Sequence, residues 1–175
     1  MIYNRADIVN FMKPSTEAEK YDRMTGFTEA GKSMNASTYD RRYVDEKTER
    51  SDVIAYAAEI GYNFDRMTDN TVHTRIAEIH DKELVGQTVE IVTVNFNEKG
   101  TAENSFKARK RVYSVVPDAD GDSTDAYTYS GAFKANGDIV EGEATSTDDW
   151  KTCTFTSGTA SEASTQSDEE TGTEE

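Results

Sequence analysis

The sequence predicts a mainly β fold: antiparallel sheets that form a β-sandwich or barrel, with one flanking α-helix, an extended loop and terminal arms. Two observations lead to this class. Most of the chain consists of short stretches in which apolar and polar residues alternate, which is the period of a strand with one buried face. One further stretch has the three-to-four-residue spacing of an amphipathic helix. Seven or eight strands with a single helix are typical of an antiparallel β domain.

The first part of the chain is predicted to be an irregular arm followed by one strand. Residues 1–19 are expected to form an N-terminal arm, in which the apolar residues are followed by Pro14. Residues 20–28 are predicted to form the first strand, with Met24 and Phe27 as its anchors. The arm and this strand are expected to belong to one domain, residues 1–156.

The next segment, residues 30–52, is polar and charged. A connection of this length within a compact domain is usually functional or disordered. Because Tyr39, Arg41 and Tyr43 share one face of an extended chain, we interpret the segment as a long projecting loop or hairpin.

The most regular alternation follows in residues 54–66. The apolar positions on one face are Ile54, Tyr56, Ala58, Ile60, Tyr62 and Phe64. The positions between them are small, polar or acidic. The pattern predicts one half-buried antiparallel strand, about 40 Å long at about 3.3 Å per residue. A strand of this length with a wet, acidic face fits an extended surface better than a pocket.

A helix is predicted over residues 72–84. Asn70 or Asp69 can cap its N-terminus, and Gly86 ends the pattern. The apolar residues at helical spacing are Val72, Ile76, Ile79 and Leu84. This spacing indicates an amphipathic helix of about four turns.

The rest of the domain is predicted to be strands. Their expected ranges are 88–97, 106–116, 126–135, 138–145 and 150–156. Pro117 and an acidic loop are expected to end the second of these strands. Asn136-Gly137 predicts a tight hairpin between the third and the fourth.

Charge is the dominant feature of the composition. The formal net charge is −15. Residues 157–175 hold six acidic residues and no basic ones, and we expect this acidic tail to be disordered. The remaining domain, residues 1–156, still carries −9, which argues against nucleic-acid binding through a simple basic patch. The chain shows no signal-like or membrane-spanning stretch, so we expect synthesis in a cytoplasm and no membrane insertion.

No catalytic, metal or cofactor site is predicted, and we do not expect an enzyme. Cys153 stands alone and is expected to be a buried strand residue. His73 and His80 are expected on the helix surface, without the companions of a zinc site. The four aspartates in residues 118–125 lack the glycine and glutamate positions of a calcium loop. They indicate an acidic surface loop, with a weak calcium site as the alternative.

One dense basic run stands out in this acidic chain. Lys107, Arg109 and Arg111 project from one face of a predicted strand. We favour their pairing with an acidic surface of another copy over plain solvation or contact with nucleic acid.

Residues 24–67 also carry a resemblance to a known family. The segments GFTEAGKSMN and TYDRRYVDEKTERSDVIAYAAEIGYNFDR, followed by a helix and a strand-rich remainder, resemble the tail tube (major tail) proteins of long-tailed bacteriophages, chiefly those of Gram-positive hosts. The match is sharpest at YVDE (residues 43–46) and SDV (residues 51–53), and the order of elements matches over residues 1–156.

The resemblance implies a structural virion protein. Such proteins form hexameric rings in which one sheet of each subunit joins a barrel around a central channel, and the rings stack into a tube for passage of the genome. The implied partners are further copies of the chain, a tape measure protein, and tail terminator or tip proteins. The implied location is the virion tail, assembled in the bacterial host cytoplasm. Six copies of a chain with charge −15 carry −90, so DNA is expected to pass without specific binding.

Two sets of residues follow as candidates for this function. Those expected to line the channel are Glu59, Asn63 and Asp65, with Glu141 and Glu143 as a second candidate group. Those expected at contacts between subunits are Tyr39, Arg41, Arg42, Tyr43, Asp45, Lys107, Arg109 and Arg111.

Two other functions remain open at this stage. A β-sandwich binding or adhesion module, for a carbohydrate or protein ligand and without self-assembly, could use Trp150, Tyr127 and Tyr129 as a stacking platform. An acidic mimic of DNA is the second, although the patterned core argues against it.

Overall fold

The computed structural model describes residues 2–158, and it confirms the predicted mainly β fold with one flanking helix. Within these residues the helix is α1 (Thr71–Asp81), and a 3₁₀ turn spans Arg5–Asp7. The strands are β1 (Ile8–Met12), β2 (Tyr21–Arg23), β3 (Phe27–Ser33), β4 (Ala36–Arg41), β5 (Arg50–Tyr56), β6 (Glu59–Asp65), β7 (Thr88–Lys99), β8 (Ser105–Asp120), β9 (Thr128–Ala135), β10 (Val140–Thr145) and β11 (Thr152–Ser157). Their pairings are antiparallel.

Nine of these strands form one sheet that closes on itself. The order is β10-β11-β2-β1-β7-β8-β9-β6-β3, and β10 also pairs with β8. The six strands from β10 to β8 therefore form a closed barrel, while β9, β6 and β3 continue beyond β8 as an open extension. The length of β8 allows both: residues 105–110 pair with β10, and residues 113–120 pair with β9.

Two apolar cores hold this arrangement. The barrel interior is filled by Val9, Phe11, Tyr21, Val92, Val94, Ala108, Ala144 and Cys153. The second core lies between α1 and the extension and includes Ile60, Tyr62, Phe64, Val72, Ile76, Ile79, Tyr113, Val115, Tyr129 and Phe133. Each large side chain buried in this way contributes about 1.5–3 kcal/mol. Cys153 is buried as expected, and burial raises the pKa of its thiol to about 12.

The predicted helix is present but shorter at its C-terminus. Asn70 caps the N-terminus through hydrogen bonds from the N–H groups of Val72 and His73. The C-terminus closes at Glu83, which has a φ of 50°, and not at Gly86. The N–H of Leu84 donates to the carbonyl of Ile79, as in a Schellman motif.

The N-terminal region is more structured than the sequence suggested. β1 lies inside the expected arm of residues 1–19 and pairs with β7 and β2 within the barrel. The expected first strand, residues 20–28, is divided between β2 and the start of β3, which lie at distant positions in the sheet. Gly26, with a φ of 74°, turns the chain between them.

The single long strand expected over residues 54–66 is wrong, because the segment contains the end of β5 and all of β6. Asn35, with a φ of 44°, bends the segment between β3 and β4, which lies opposite the break. Its backbone carbonyl accepts a hydrogen bond from the Ala57 N–H at 3.2 Å. The apolar alternation is continuous across the break. Only β6 has a helix to cover it, so Ile54 and Tyr56 remain 66% and 58% exposed.

Two turn predictions also need correction. Pro117 does not end β8; the strand continues to Asp120 through an irregularity in its pairing with β9 between Pro117 and Ala119. Asn136-Gly137 does not form a hairpin, since β9 and β10 both run antiparallel to β8 and therefore in the same direction. The dipeptide instead bends the chain as it moves from the extension into the barrel.

Candidate assembly surfaces

The extension (β9, β6 and β3), together with the part of β8 that pairs with it, has one covered face and one open face. On β6, Ile60, Tyr62 and Phe64 are buried beneath α1. The alternate positions, Glu59, Gly61, Asn63 and Asp65, therefore point away from the helix, and none of them is buried. We call this surface the open face; it holds three of the predicted channel residues.

The strand register extends the open face across its neighbours. Glu59 lies between Ser33 and Lys134, and Asn63 lies between Glu29 and Ser130. Opposed residues in antiparallel strands share a face, so the open face consists mainly of small and polar side chains. Its other members are Gly31, Gly61, Ala132, Thr128, Ser114 and Val116.

Glu29 is a member of this surface that sequence analysis missed. A Cβ atom at Gly61 would lie 3.3 Å from its carboxylate, so the Glu29 side chain lies over β6. Glu29, Gly31 and Ser33 are polar or small and occupy every second position of the strand. This pattern indicates a solvent-exposed strand face, and it could have identified Glu29 from the sequence. Glu29, Glu59 and Asp65 give the open face three carboxylates against one described cation, Lys134. Within residues 2–158 these three carboxylates form no ion pair.

The second candidate group, Glu141 and Glu143, lies on the opposite face of the sheet. Glu141 pairs with Arg109, five positions from Ser114 on β8, and Ser114 shares the open face with Glu59 through Lys134. An odd separation along a regular strand reverses the face. The two candidate groups therefore cannot line one surface.

Glu143 is also engaged within its own chain. Its carboxylate accepts hydrogen bonds from the Ser105 hydroxyl at 2.7 Å, from the Thr101 N–H and hydroxyl at 2.7 Å each, and from the Ala102 N–H at 3.3 Å. These bonds, led by that of Ser105, lower the pKa of Glu143 to about 2. The side chain holds the connection between β7 and β8.

β4 and β5 form a two-stranded hairpin separate from the large sheet. The Arg41 guanidinium lies 5.3 Å from the Tyr39 ring centre and 5.5 Å from that of Tyr43, and it forms an ion pair with Asp52 at 3.0 Å. Arg41 therefore lies against both of the tyrosines predicted to share its face. Arg42 and Asp45 are exposed in the adjoining turn.

This hairpin carries large apolar side chains without covering them. Val53, Ile54 and Tyr56 are exposed, as are the rings of Tyr39 and Tyr43. An exposed apolar surface with polar residues around it is typical of a protein contact site.

The three basic residues of β8 lie on the outer surface of the barrel. They alternate with Ala108, which is buried in the barrel interior. Lys107 has a partner in its own chain, Glu98, at 3.7 Å. Arg111 donates through Nε to the carbonyl of Gly137 at 2.7 Å, and within residues 2–158 neither Arg109 nor Arg111 forms an ion pair.

The expectation that both histidines lie on the surface is wrong. His73 is fully buried: its Nδ1 accepts from the Met67 N–H at 3.2 Å, and its Nε2 lies 2.8 Å from the Thr25 carbonyl. His80 is half-buried, 2.8 Å from the Tyr62 hydroxyl. Burial lowers the pKa of both rings. Both are structural residues that fasten α1 to its surroundings.

The aromatic platform of the binding-module alternative is not formed. Trp150 packs on Phe96 and Phe106, with ring centres 4.8 and 5.4 Å away. Tyr129 is buried and donates to Asp81 at 2.9 Å, which leaves only Tyr127 of the three exposed.

Over the described range, no group of three or more His, Cys, Asp or Glu side chains is placed to hold a metal ion. The one α-helix of that range is too short to cross a membrane.

Comparison with known proteins agrees with this geometry at the level of fold. No protein-family model matches the sequence, and no curated protein does. Among solved structures, a chain in the virion of a native gene transfer agent particle is similar, with a TM-score of 0.53 and 14% identity over 79% of this chain and 97% of that chain.

A chain in the tail of an empty gene transfer agent particle of C6 symmetry is also similar, with a TM-score of 0.51, 14% identity and the same coverage. The fold is shared with chains of tailed particles. At this identity the likeness establishes the fold alone.

Proposed function

We propose that the chain is a structural, non-enzymatic tail protein that assembles into stacked six-membered rings, and that the open face lines the channel of the resulting tube. The open face carries this proposal. It belongs to the part of the large sheet formed by the extension and the adjoining part of β8, which is covered by a helix on one side and carries mainly small, polar and acidic side chains on the other. The similar chain in a tail of C6 symmetry supports a ring of six copies.

The edges of the extension support closure between copies. The outer edge of β3 pairs with no described strand, and residues 116–120 of β8 extend past the pairing with β7. An exposed strand edge is a liability that a barrel removes. Joining the β3 edge of one copy to the free part of β8 in the next pairs both edges.

The hairpin supports contacts between subunits. Its exposed apolar residues and the Arg41 cluster are carried away from the body of the domain, where a neighbouring copy can cover them. Tyr39, Arg41, Arg42, Tyr43 and Asp45 are the residues we place at this contact. The acidic channel then lets genome DNA pass without binding, because a wall of like charge does not neutralise phosphates and so releases no counterions from the DNA.

Electron microscopy and sedimentation of the concentrated protein test this function. We expect rings or tubes from the unmodified chain, and a folded monomer without tubes from Arg41→Ala with Tyr43→Ala, because the double change removes the cluster of the hairpin but no core residue. The matched control is Lys82→Ala with Val85→Ala, which removes a cation and an exposed apolar group beside α1. Normal tubes from the hairpin variant would contradict the assigned contact, and a strictly monomeric unmodified chain would contradict the function.

A further inference from the structure

The charges on β3 lie on opposite sides of the sheet. The strand contains one cation, Lys32, and one carboxylate, Glu29. Lys32 is opposite Ile60 in the register, so it lies on the side of the sheet that α1 covers. Glu29 lies on the open face. The edge that β3 offers to another copy is therefore cationic on the helix side and anionic on the channel side.

The free part of β8 carries the complementary charge on the helix side. Asp120 is opposite Tyr129, which is buried beneath α1, so Asp120 lies on the same side of the sheet as Lys32. Val116 and Ala119, on the open face, carry no charge. Joining the two edges thus brings a cation to a carboxylate on one side and opposes no like charges on the other.

Lys32 and Asp120 have no partner within a single copy. Both are exposed, and neither forms an ion pair within residues 2–158. Two strands, β9 and β6, separate them, which is about 14 Å along the sheet at about 4.8 Å per strand. Complementary charges that are exposed and unpaired in this way suit a contact between copies.

The orientation of the joint follows from rotation about the channel axis. A rotation preserves the direction of each strand along that axis, and β8, β9, β6 and β3 alternate in direction. β3 of one copy therefore meets β8 of the next in antiparallel orientation.

The tilt of the strands sets the offset between neighbouring copies. Strands of closed barrels tilt by about 35–45°. Over four strands, this tilt displaces the next copy along the strand by about 13–19 Å, or about four to six residues. An even number of residues keeps every side chain on its own face of the sheet.

The hand of the sheet sets the direction of this offset. Val115 points towards α1, and its N–H donates to the carbonyl of Gln87 at 3.0 Å, on the side of β7. In a chain of L-residues this geometry places β9, β6 and β3 to the left of an upward β8, seen from α1. The right-handed twist of strands then makes β3 meet a more C-terminal part of β8 in the next copy.

This offset selects one partner for Lys32. Within a copy, Lys32 is level with Val115 across the four strands. The pairing of β8 with β9 passes over Asp118, so Asp120 is the fourth paired position beyond Val115. An offset of four brings Asp120 opposite Lys32, whereas an offset of six would pass the end of β8.

We propose that Lys32 of one copy forms an ion pair with Asp120 of the next and thereby sets the register of the joint, an inference that rests on the function proposed above. The main-chain ladder alone specifies this register weakly. Pro117 has no N–H to donate, and β3 consists largely of small and polar residues. The ion pair distinguishes the offset of four from other even offsets.

Reversal and exchange of the two charges test the pair. We expect Lys32→Glu and Asp120→Lys each to lower the fraction of protein that sediments as tubes several-fold, because like charges then meet across the joint. Lys32→Glu combined with Asp120→Lys should restore tubes. The matched control, Lys32→Glu with Glu103→Lys, has the same net charge but places the new cation in the loop between β7 and β8, so it should not restore them.

These variants separate failure of the pair from failure of the function. If the unmodified chain forms tubes, undiminished tubes from Lys32→Glu would overturn the pair but not the function, and so would an exchanged variant that does no better than the control. An unmodified chain that forms no tubes would overturn both.

Zero-length carbodiimide coupling tests the same pair without substitution. The reagent joins an amine to a carboxylate only where the two are in contact. In tubes assembled from mixed isotope-labelled and unlabelled protein, we expect peptide mapping to show Lys32 coupled to Asp120 between copies, and the unassembled subunit to lack this product. Coupling of Lys32 to Asp118 in place of Asp120, or only within one chain, would overturn the proposal.

Discussion

At the scale of single residues, buried or satisfied polar groups hold the connections between elements. His73 joins the N-terminal turn of α1 to two earlier segments of the chain, because its ring nitrogens have backbone partners at Met67 and Thr25. Periodicity alone placed this ring on the helix surface. Its burial depends on Thr25 and Met67, which lie on other segments, and a helical pattern carries no information about them.

Glu143 shows the same limit for a carboxylate. Alternation along β10 correctly separates it from Ala144, but its face is the outside of the barrel, where the chain between β7 and β8 surrounds it with donors. The sequence predicted an acidic strand face but not the loop between β7 and β8 whose donors bind the Glu143 carboxylate.

The stability contributed by Glu143 should depend on pH. Its pKa in the folded protein, about 2, is below the ordinary 4.5, so its contribution is present above about pH 4.5 and is lost as pH falls towards 2. We expect Glu143→Gln to lower the unfolding temperature at pH 7, with a difference that shrinks over this range. Thermal unfolding followed by circular dichroism measures it. Glu141→Gln, on the same strand and exposed, is the control; equal effects of the two changes would contradict the role assigned to the loop.

At the scale of elements, the sequence predicted which segments form the helix and the strands better than it predicted which strands pair with one another. The helix, its Asn70 cap and the strands β7 and β9 were predicted within a few residues, since periodicity and capping are local signals. The closure of β10 on β8 was not predicted. It depends on β8, which pairs with β10 along one part of its length and with β9 along another. The Asn136-Gly137 dipeptide instead suggested a local hairpin between β9 and β10.

The candidate surfaces were likewise predicted only as far as local patterns allow. Alternation along β6 placed Glu59, Asn63 and Asp65 on one face, and the structure has them there. It could not show that β5 leaves the sheet, because Ile54 and Tyr56 continue the pattern of β6. The difference lies in α1, which covers one half of the pattern and not the other.

Removal of the hairpin tests its independence from the domain. A chain in which a short glycine-containing turn replaces residues 36–56 should keep its unfolding temperature, because β4 and β5 contribute no residue to either core. It should form no tubes, since the exposed apolar contact surface is gone. Calorimetry and sedimentation measure the two effects. A large loss of thermal stability would show that the hairpin belongs to the folding unit.

At the scale of the whole molecule, charge and shape act together. The helix covers one side of the extension, the barrel adjoins its β9 edge through β8, and the open face carries mainly small and polar side chains with an excess of carboxylates. A channel wall of this kind should become adhesive if its charge is reversed.

Glu59→Lys with Asp65→Lys reverses that charge without touching either core. We expect tubes that retain duplex DNA at low salt and release it as salt rises, because each neutralised phosphate sets free a counterion. Co-sedimentation of DNA with tubes measures retention. Glu103→Lys with Glu141→Lys, two exposed changes away from the open face, should leave it unchanged; equal retention by both variants would contradict the placement of the open face.

The most direct measurement is a helical reconstruction by cryo-electron microscopy of tubes formed by the purified chain. We expect six copies per ring, with the β3 edge of one copy joined to the free part of β8 in the next. Glu29, Glu59 and Asp65 should point towards the axis, and α1 should lie outside the barrel wall. Rings in which α1 or the basic residues of β8 face the axis would contradict the assignment of the open face to the channel.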